Sequence, residues 1–212
     1  DGDTVSYSLS VTDASSMSIN ASSGVLAFSS APDYETKSSY SATVTASDGA
    51  NSTAQNITVN VTNLNDNSPS ITSGASFNAA ENQTAIGMVT ATDADGDTIT
   101  YSLSGTDASS MSINSSSGAI TFSSAPDYET KSSYAATVSA SDGTNSSTQD
   151  ITVSVINVNE YTPSITSSAT FSADENQTAI GTVTATDTDG DTLSYSVINA
   201  PGSNTNNAFP KN

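Results

Sequence analysis

Three acidic motifs in this chain have spacings that could do chemistry. Asp93-Ala-Asp95-Gly-Asp97 sets carboxylates at alternate positions of a Gly-punctuated turn, and Asp187-Thr-Asp189-Gly-Asp191 repeats it. Asp33-Tyr-Glu35 and Asp127-Tyr-Glu129 form the second motif. Glu81 and Glu175, each followed by Asn-Gln-Thr, form the third. Two chemistries use such groups. Converging carboxylate and amide oxygens hold a hard divalent cation, which takes six to eight oxygen ligands. A carboxylate pair can also act as the acid and base of glycoside hydrolysis. The second reading is weak. Asp127 and Glu129 sit two positions apart, they recur as Asp33 and Glu35, and no other catalytic group accompanies them. The chain has no His and no Cys, so it lacks the commonest general base and any thiol nucleophile. The expectation is a protein that is not an enzyme.

The motifs recur because the chain repeats. Asp1-Gly-Asp-Thr, Asp95-Gly-Asp-Thr and Asp189-Gly-Asp-Thr are equally spaced, and the same interval links Pro32 to Pro126, Asp48 to Asp142, and Pro69 to Pro163. A unit of that length can hold its own core, which makes this an array of domains. Residues 70–163 form one complete repeat, residues 1–69 a repeat that lacks its first two strands, and residues 164–212 the N-terminal strands of a third. Within the complete repeat, apolar residues alternate with the period of a strand. Examples are Ile99, Tyr101 and Leu103, then Ile120 and Phe122, then Ile151, Val153 and Val155. Ile71 and Phe77 suit a first strand, and Val89 and Ala91 a second. Short strands separated by Gly, Asn, Asp and Ser turns predict an all-β fold of tandem β-sandwiches. Pro126-Asp-Tyr-Glu129 reads as a short helical or irregular turn between sheets. The chain opens in mid-repeat and reads as a piece, or a processed form, of a longer polypeptide.

Composition narrows the function. Of 212 residues, 22 are Asp or Glu and three are Lys or Arg, giving a formal net charge of −19. Nothing here neutralises a run of phosphates, so nucleic acid is excluded as a partner. An anionic membrane surface is disfavoured likewise. No run is apolar enough to span a bilayer, which argues against membrane insertion. The chain has no disulfide, and bound metal is another staple open to it. Sequons at Asn51, Asn56, Asn82 and Asn145 carry little weight in so Ser/Thr/Asn-rich a sequence.

The ordered motifs Ala80-Glu-Asn82, Ala91-Thr-Asp-Ala-Asp-Gly-Asp97, Tyr101-Ser-Leu103, Ile113 to Gly118, Asp127-Tyr-Glu129, Ala140-Ser-Asp-Gly143 and the Asn-rich junction ending in Pro163 resemble a cadherin-type extracellular repeat. The thiol-free, Ser/Thr-rich form resembles that of large bacterial surface proteins. The resemblance covers the complete repeat and both partial ones up to about Tyr195. It implies seven-stranded Greek-key sandwiches with Ca2+ ions lodged between successive domains, outside the cell or on its surface.

Carried across residue by residue, the resemblance implies two ligand sets. The first junction would use Asp33 and Glu35 from unit one, Asn63, Asn65, Asp66 and the carbonyl of Asn67 from the linker, and Asp93, Asp95 and Asp142 from unit two. The second would use Glu81, Asp127 and Glu129 from unit two, Asn157, Asn159 and Glu160 from its linker, and Asp187 and Asp189 from unit three. Asp97 is expected to serve the turn rather than the ion, and Tyr34 and Tyr128 to pack at the sandwich rim. Linkers of the family usually begin with Asp. Asn63 and Asn157 stand there instead, and Glu160-Tyr161 replaces an Asp-Asn pair. The implied role is a calcium-rigidified spacer or fibre segment of a bacterial surface adhesin or filament, whose partners are neighbouring repeats. Two alternatives stand beside it. Chains could polymerise head to tail into fibres, the tail strands of one completing the sandwich of the next, or the module could bind a cell-surface glycan or protein.

Overall fold

The computed structural model describes residues 2–198. Unit one contributes β1 (Ser6–Ser10), β2 (Met17–Ile19), β3 (Leu26–Phe28), β4 (Ser39–Ser47) and β5 (Ser52–Asn60). Unit two contributes β6 (Ser70–Ile71), β7 (Ser76–Ala80), β8 (Ala85–Met88), β9 (Ala91–Thr92), β10 (Thr100–Ser104), β11 (Met111–Ile113), β12 (Ala119–Phe122), β13 (Ser133–Ser141) and β14 (Ser146–Ile156). Unit three contributes β15 (Ser164–Ile165) and β16 (Ala185–Thr186).

Alternation of small polar and apolar residues decides which face of each strand turns inward. Along β14, Ile151, Val153 and Val155 are buried while the residues between them face water. On β13, Ala136 faces Ile151 in register, and Val138 and Ala140 are buried further along the strand. Four strands in the order β10-β13-β14-β7 make one sheet of unit two, and three in the order β11-β12-β8 make the other. β7 runs parallel to β14, whereas the remaining pairs in these two sheets are antiparallel. The two faces enclose Ile86, Val89, Met111, Ile120, Phe122, Val138, Ile151 and Val153. Phe122 meets Tyr134 edge to face at 4.9 Å, a favoured aromatic geometry. The fold is all-β, a two-sheet sandwich with seven strands in its main sheets. Three features depart from the expected strand pattern. The first strand is split into β6 and β7 around Ser73-Gly74, the second into β8 and β9 with Val89 in the gap between them, and a 3-10 turn at Ala108–Ser110 precedes β11.

Gly118 shows why one turn position is glycine. Its φ is +74°, and a Cβ there would lie 2.2 Å from the carbonyl oxygen of Val89, which accepts no side chain so close. The backbones of Val89 and Gly118 instead pair directly at 2.9 Å, tying the β11–β12 hairpin to the second strand region.

Unit one repeats the pairing of β10, β13 and β14 as β1-β4-β5, with β2 and β3 forming a separate ladder. Its inward residues are less covered. Leu26 is 37% exposed, whereas Ile120 at the same repeat position is 1% exposed. The reason is β8, which lies on β12 in unit two and has no counterpart against β3 among the described residues. One further tie recurs in both units. Lys37 pairs with Asp13 and sits 4.9 Å from the Tyr40 ring centre, and Lys131 pairs with Asp107 and sits 4.6 Å from that of Tyr134.

Candidate metal centres

Each acidic site is built from turns at the ends of strands. In unit two, β7 ends at Ala80 and delivers Glu81, which is 1% exposed. Its carboxylate accepts the backbone N–H groups of Tyr128 at 2.7 Å and Val158 at 2.6 Å. It therefore pins the Asp127-Tyr-Glu129 turn to the outgoing linker. Asp127 folds that turn by accepting from the N–H of Glu129 and Thr130 and the Thr130 hydroxyl, and the last of these is the main cause of its lowered pKa. Oxygens of Glu81, Asp127 and Glu129 all come within 4.8 Å of one another. Burial, followed by the charges of Glu81 and Asp189, raises the Glu129 pKa. Burial and the Glu81 charge raise that of Glu160, whose carboxylate takes the Asn82 amide.

The Asp-x-Asp loop after β9 supplies the facing half of the first junction. Asp93 accepts the N–H of Asp95 at 3.0 Å and of Asp97 at 3.3 Å through one oxygen. Its other oxygen is buried and accepts nothing. Asp95 takes the N–H groups of Asp66 and Asn67, and the Asn67 amide holds its pKa below the usual carboxylate range. Glu35 from unit one, Asp66 from the linker and Asp95 from unit two bring carboxylate oxygens within 4.8 Å. Asp93, Asp95 and Asp97 form a second such group, and Asp187, Asp189 and Asp191 repeat it in unit three. There Asp189 accepts from Glu160 and Tyr161, and one buried oxygen of Asp189 is left without a partner.

Other residues proposed from sequence lie around these groups. Asp33 turns its carboxylate back onto its own loop, to Glu35 and Thr36. Asp142 accepts from Thr144 and Asn145. Asn63 and Asn157 donate their amides to the carbonyls of Asp95 and Asp189, and Asn159 donates to Asp191. Asn65 accepts from the Asn145 amide, which also donates to the carbonyl of Asn67. Asp97 is exposed and joins the Asp93 group as well as the turn. Tyr34 and Tyr128 are 39% and 36% exposed.

Sequence reasoning missed Asn145, Asp191 and Asn82. Asn145 follows Asp142 in an Asp-Gly turn that recurs at Asp48–Asn51, and that recurrence was the available signal. In unit one, a cleft of about 430 Å3 is lined by Asp33, Glu35, Leu64, Asp66 and Asn67 among others.

The donor set suits a hard cation. Each group offers only carboxylate, amide and carbonyl oxygens, the described lysines are held elsewhere by Asp13 and Asp107, and Asp93 and Asp189 each keep a buried oxygen unpaired. Clustered carboxylates with no cationic side chain among them repel, and a bound Ca2+ relieves that.

Comparison with known proteins agrees with the fold and the motifs. Residues 75–159 match the family model of the cadherin domain. The chain is 34% identical over 189 residues, 81% of its length, to human Protocadherin Fat 4. It spans 4% of the length of that relative. Among solved structures, the Protocadherin gammaB7 EC3-6 cis-dimer superposes with a TM-score of 0.74 at 28% identity, over 87% of this chain and 51% of that one. Mouse Cadherin-23 EC22-24 does so at 0.65 and 29%, over 87% and 65%. The chain consists of tandem cadherin domain repeats related to those of the protocadherins and Fat proteins. Such repeats are extracellular, non-enzymatic adhesion modules, and the acidic clusters are consistent with Ca2+ binding between them. The human and mouse relatives give no support to the bacterial setting that the resemblance implied.

Proposed function

We propose that this segment is a calcium-stiffened spacer within a longer extracellular adhesion polypeptide. The observation that carries the reading is the meeting of Glu35, Asp66 and Asp95, one from each side of the first junction and one from the linker, within 4.8 Å. A divalent cation bound there bridges the two domains and removes the repulsion that otherwise favours bending. At the second junction Glu81, Asp127 and Glu129 form one group and Asp187, Asp189 and Asp191 another, and the reading is that bound ions link the two. The segment's partners are its neighbouring repeats, and its work is to fix their angle.

Calorimetric titration with Ca2+ tests this, together with thermal melting in millimolar Ca2+ and in chelator. Saturating ion at about a hundred times Kd stabilises by about 2.7 kcal/mol, which moves the melting temperature by several degrees. Small-angle scattering should show a narrower distribution of sizes with Ca2+ than without. Absence of both binding heat and a melting shift would overturn the reading.

A further inference from the structure

Both junctions carry a set of bonds between protein groups alone, and the residue that opens each linker is its first member. Asn63 donates its side-chain amide to the carbonyl oxygen of Asp95 at 2.8 Å, and Asn157 does the same to Asp189 at 3.0 Å. A carbonyl oxygen only accepts, so the atom facing it must be the amide nitrogen. A carboxylate at the same place would set oxygen against oxygen and would need a cation between them. The linker then continues the contact with its backbone. Asp66 and Asn67 donate to one oxygen of Asp95 at 3.1 and 2.8 Å, and Glu160 and Tyr161 donate to one oxygen of Asp189 at 3.0 and 2.8 Å. On the first junction Asn145 adds a bond of 2.8 Å to Asn65 from the far turn of unit two.

We infer that Asn63 and Asn157 are positioning residues that latch each linker onto the next repeat's Asp-x-Asp loop without metal, so that the joints keep residual order when Ca2+ is absent. This rests on the calcium reading above and refines it. The ion adds stiffness to a joint already closed by amides, instead of creating the joint. The isosteric change Asn→Asp exchanges a donor for an acceptor and adds a charge. It therefore undoes the latch while leaving an oxygen that can serve the ion.

The test is hydrogen exchange across residues 63–67 and 157–161 on the whole chain. It compares wild type, N63D/N157D and the uncharged N63A/N157A, each in chelator and in millimolar Ca2+. The wild type in chelator should protect these amides. Both double variants should exchange them about tenfold faster in chelator, the loss expected for a hydrogen bond of about 1 kcal/mol or slightly more. With Ca2+ the Asp variant should recover wild-type protection, and the Ala variant only part of it. If both variants match wild type in chelator, the latch is overturned and the calcium reading stands. If Ca2+ changes nothing in the wild type while the variants still differ in chelator, the latch stands and the calcium reading falls. Melting of unit two, read from the protection of Val138 and Val153, verifies that each variant is folded.

Discussion

The backbone N–H of Val158 donates to the carboxylate of Glu81 at 2.6 Å, joining the start of unit two to the linker that leaves it. The second carboxylate oxygen takes Tyr128 N–H at 2.7 Å. One buried side chain thus satisfies two backbone donors from segments far apart in sequence. Glu81→Ala would take the charged acceptor from both donors. We expect a loss of about 3 kcal/mol, since a bond to a charged acceptor contributes about 1.5–3 kcal/mol. Glu81→Gln should recover part of it, because its amide oxygen satisfies one donor while its NH2 opposes the other. Denaturant melts of the three proteins in chelator check this ranking. Equal stabilities would show that Glu81 has no structural role.

A second prediction uses the repeat as its own control. Leu26 and Ile120 hold the same repeat position, on β3 and β12, yet one is 37% exposed and the other 1%. Ile120→Ala should cost about 2–5 kcal/mol, the range for truncating a buried aliphatic side chain. Leu26→Ala should cost less than about 1 kcal/mol. Chemical denaturation of each variant measures both. A comparable loss at the two positions would mean that β3 is covered as fully as β12.

That contrast also marks what could be read from sequence. The strands of unit two were legible because Ser and Thr alternate strictly with Val, Ile and Ala, as in Ile151, Val153 and Val155. The acidic groups were legible because Asp93, Asp95, Glu81 and Asp127 recur at one interval and carry charge. Asn145 was not legible as a joint residue. Its contact to Asn65 spans 80 positions and involves no charge, and amide pairs leave no periodic trace. The Asp107–Lys131 tie, 24 positions apart, was hidden for the same reason: one lysine among many acids does not name its partner. The 3-10 turn at Ala108–Ser110 has no apolar spacing to announce it.

A third prediction concerns pH. Lys131, then the Ala135 N–H, hold the Asp107 carboxyl below its ordinary pKa, and Lys37 with Ser41 does so for Asp13. A carboxyl whose folded pKa is depressed binds fewer protons in the native state. Its contribution is therefore full above the ordinary value of about 3.9 and is lost as pH falls below it. Glu129 and Glu160 are shifted the other way, chiefly by burial and then by the Glu81 charge. Their native forms bind protons more readily than the unfolded chain, so the metal-free protein gains stability as pH drops through their raised values. In chelator the melting temperature should rise as pH falls through their raised values toward the ordinary glutamate value of about 4.3, then fall below the ordinary aspartate value of about 3.9. In Ca2+ the rise should vanish, because protonation competes with the ion. Calorimetry across that range with and without Ca2+ checks the sign. A monotonic fall in chelator would refute it.

The last prediction separates the turn from the ion. Asp93 uses one oxygen to fold its own loop, through the N–H groups of Asp95 and Asp97, and keeps the other buried and unpaired. Asp93→Asn preserves the first oxygen and places an amide where the second lay. The loop should therefore fold as before, and relief of carboxylate repulsion should leave the chelated protein as stable as wild type or slightly more so. Ca2+ affinity should fall by about tenfold or more, since the site loses a charge and the amide nitrogen cannot ligate a hard cation. Asp93→Ala removes both oxygens, so it should weaken the loop in chelator as well as the binding of the ion. Calcium titration of the two variants beside melts in chelator distinguishes these effects. If Asp93→Asn binds Ca2+ as tightly as wild type, the unpaired oxygen is not a ligand and the first junction's site must be sought around Glu35, Asp66 and Asp95.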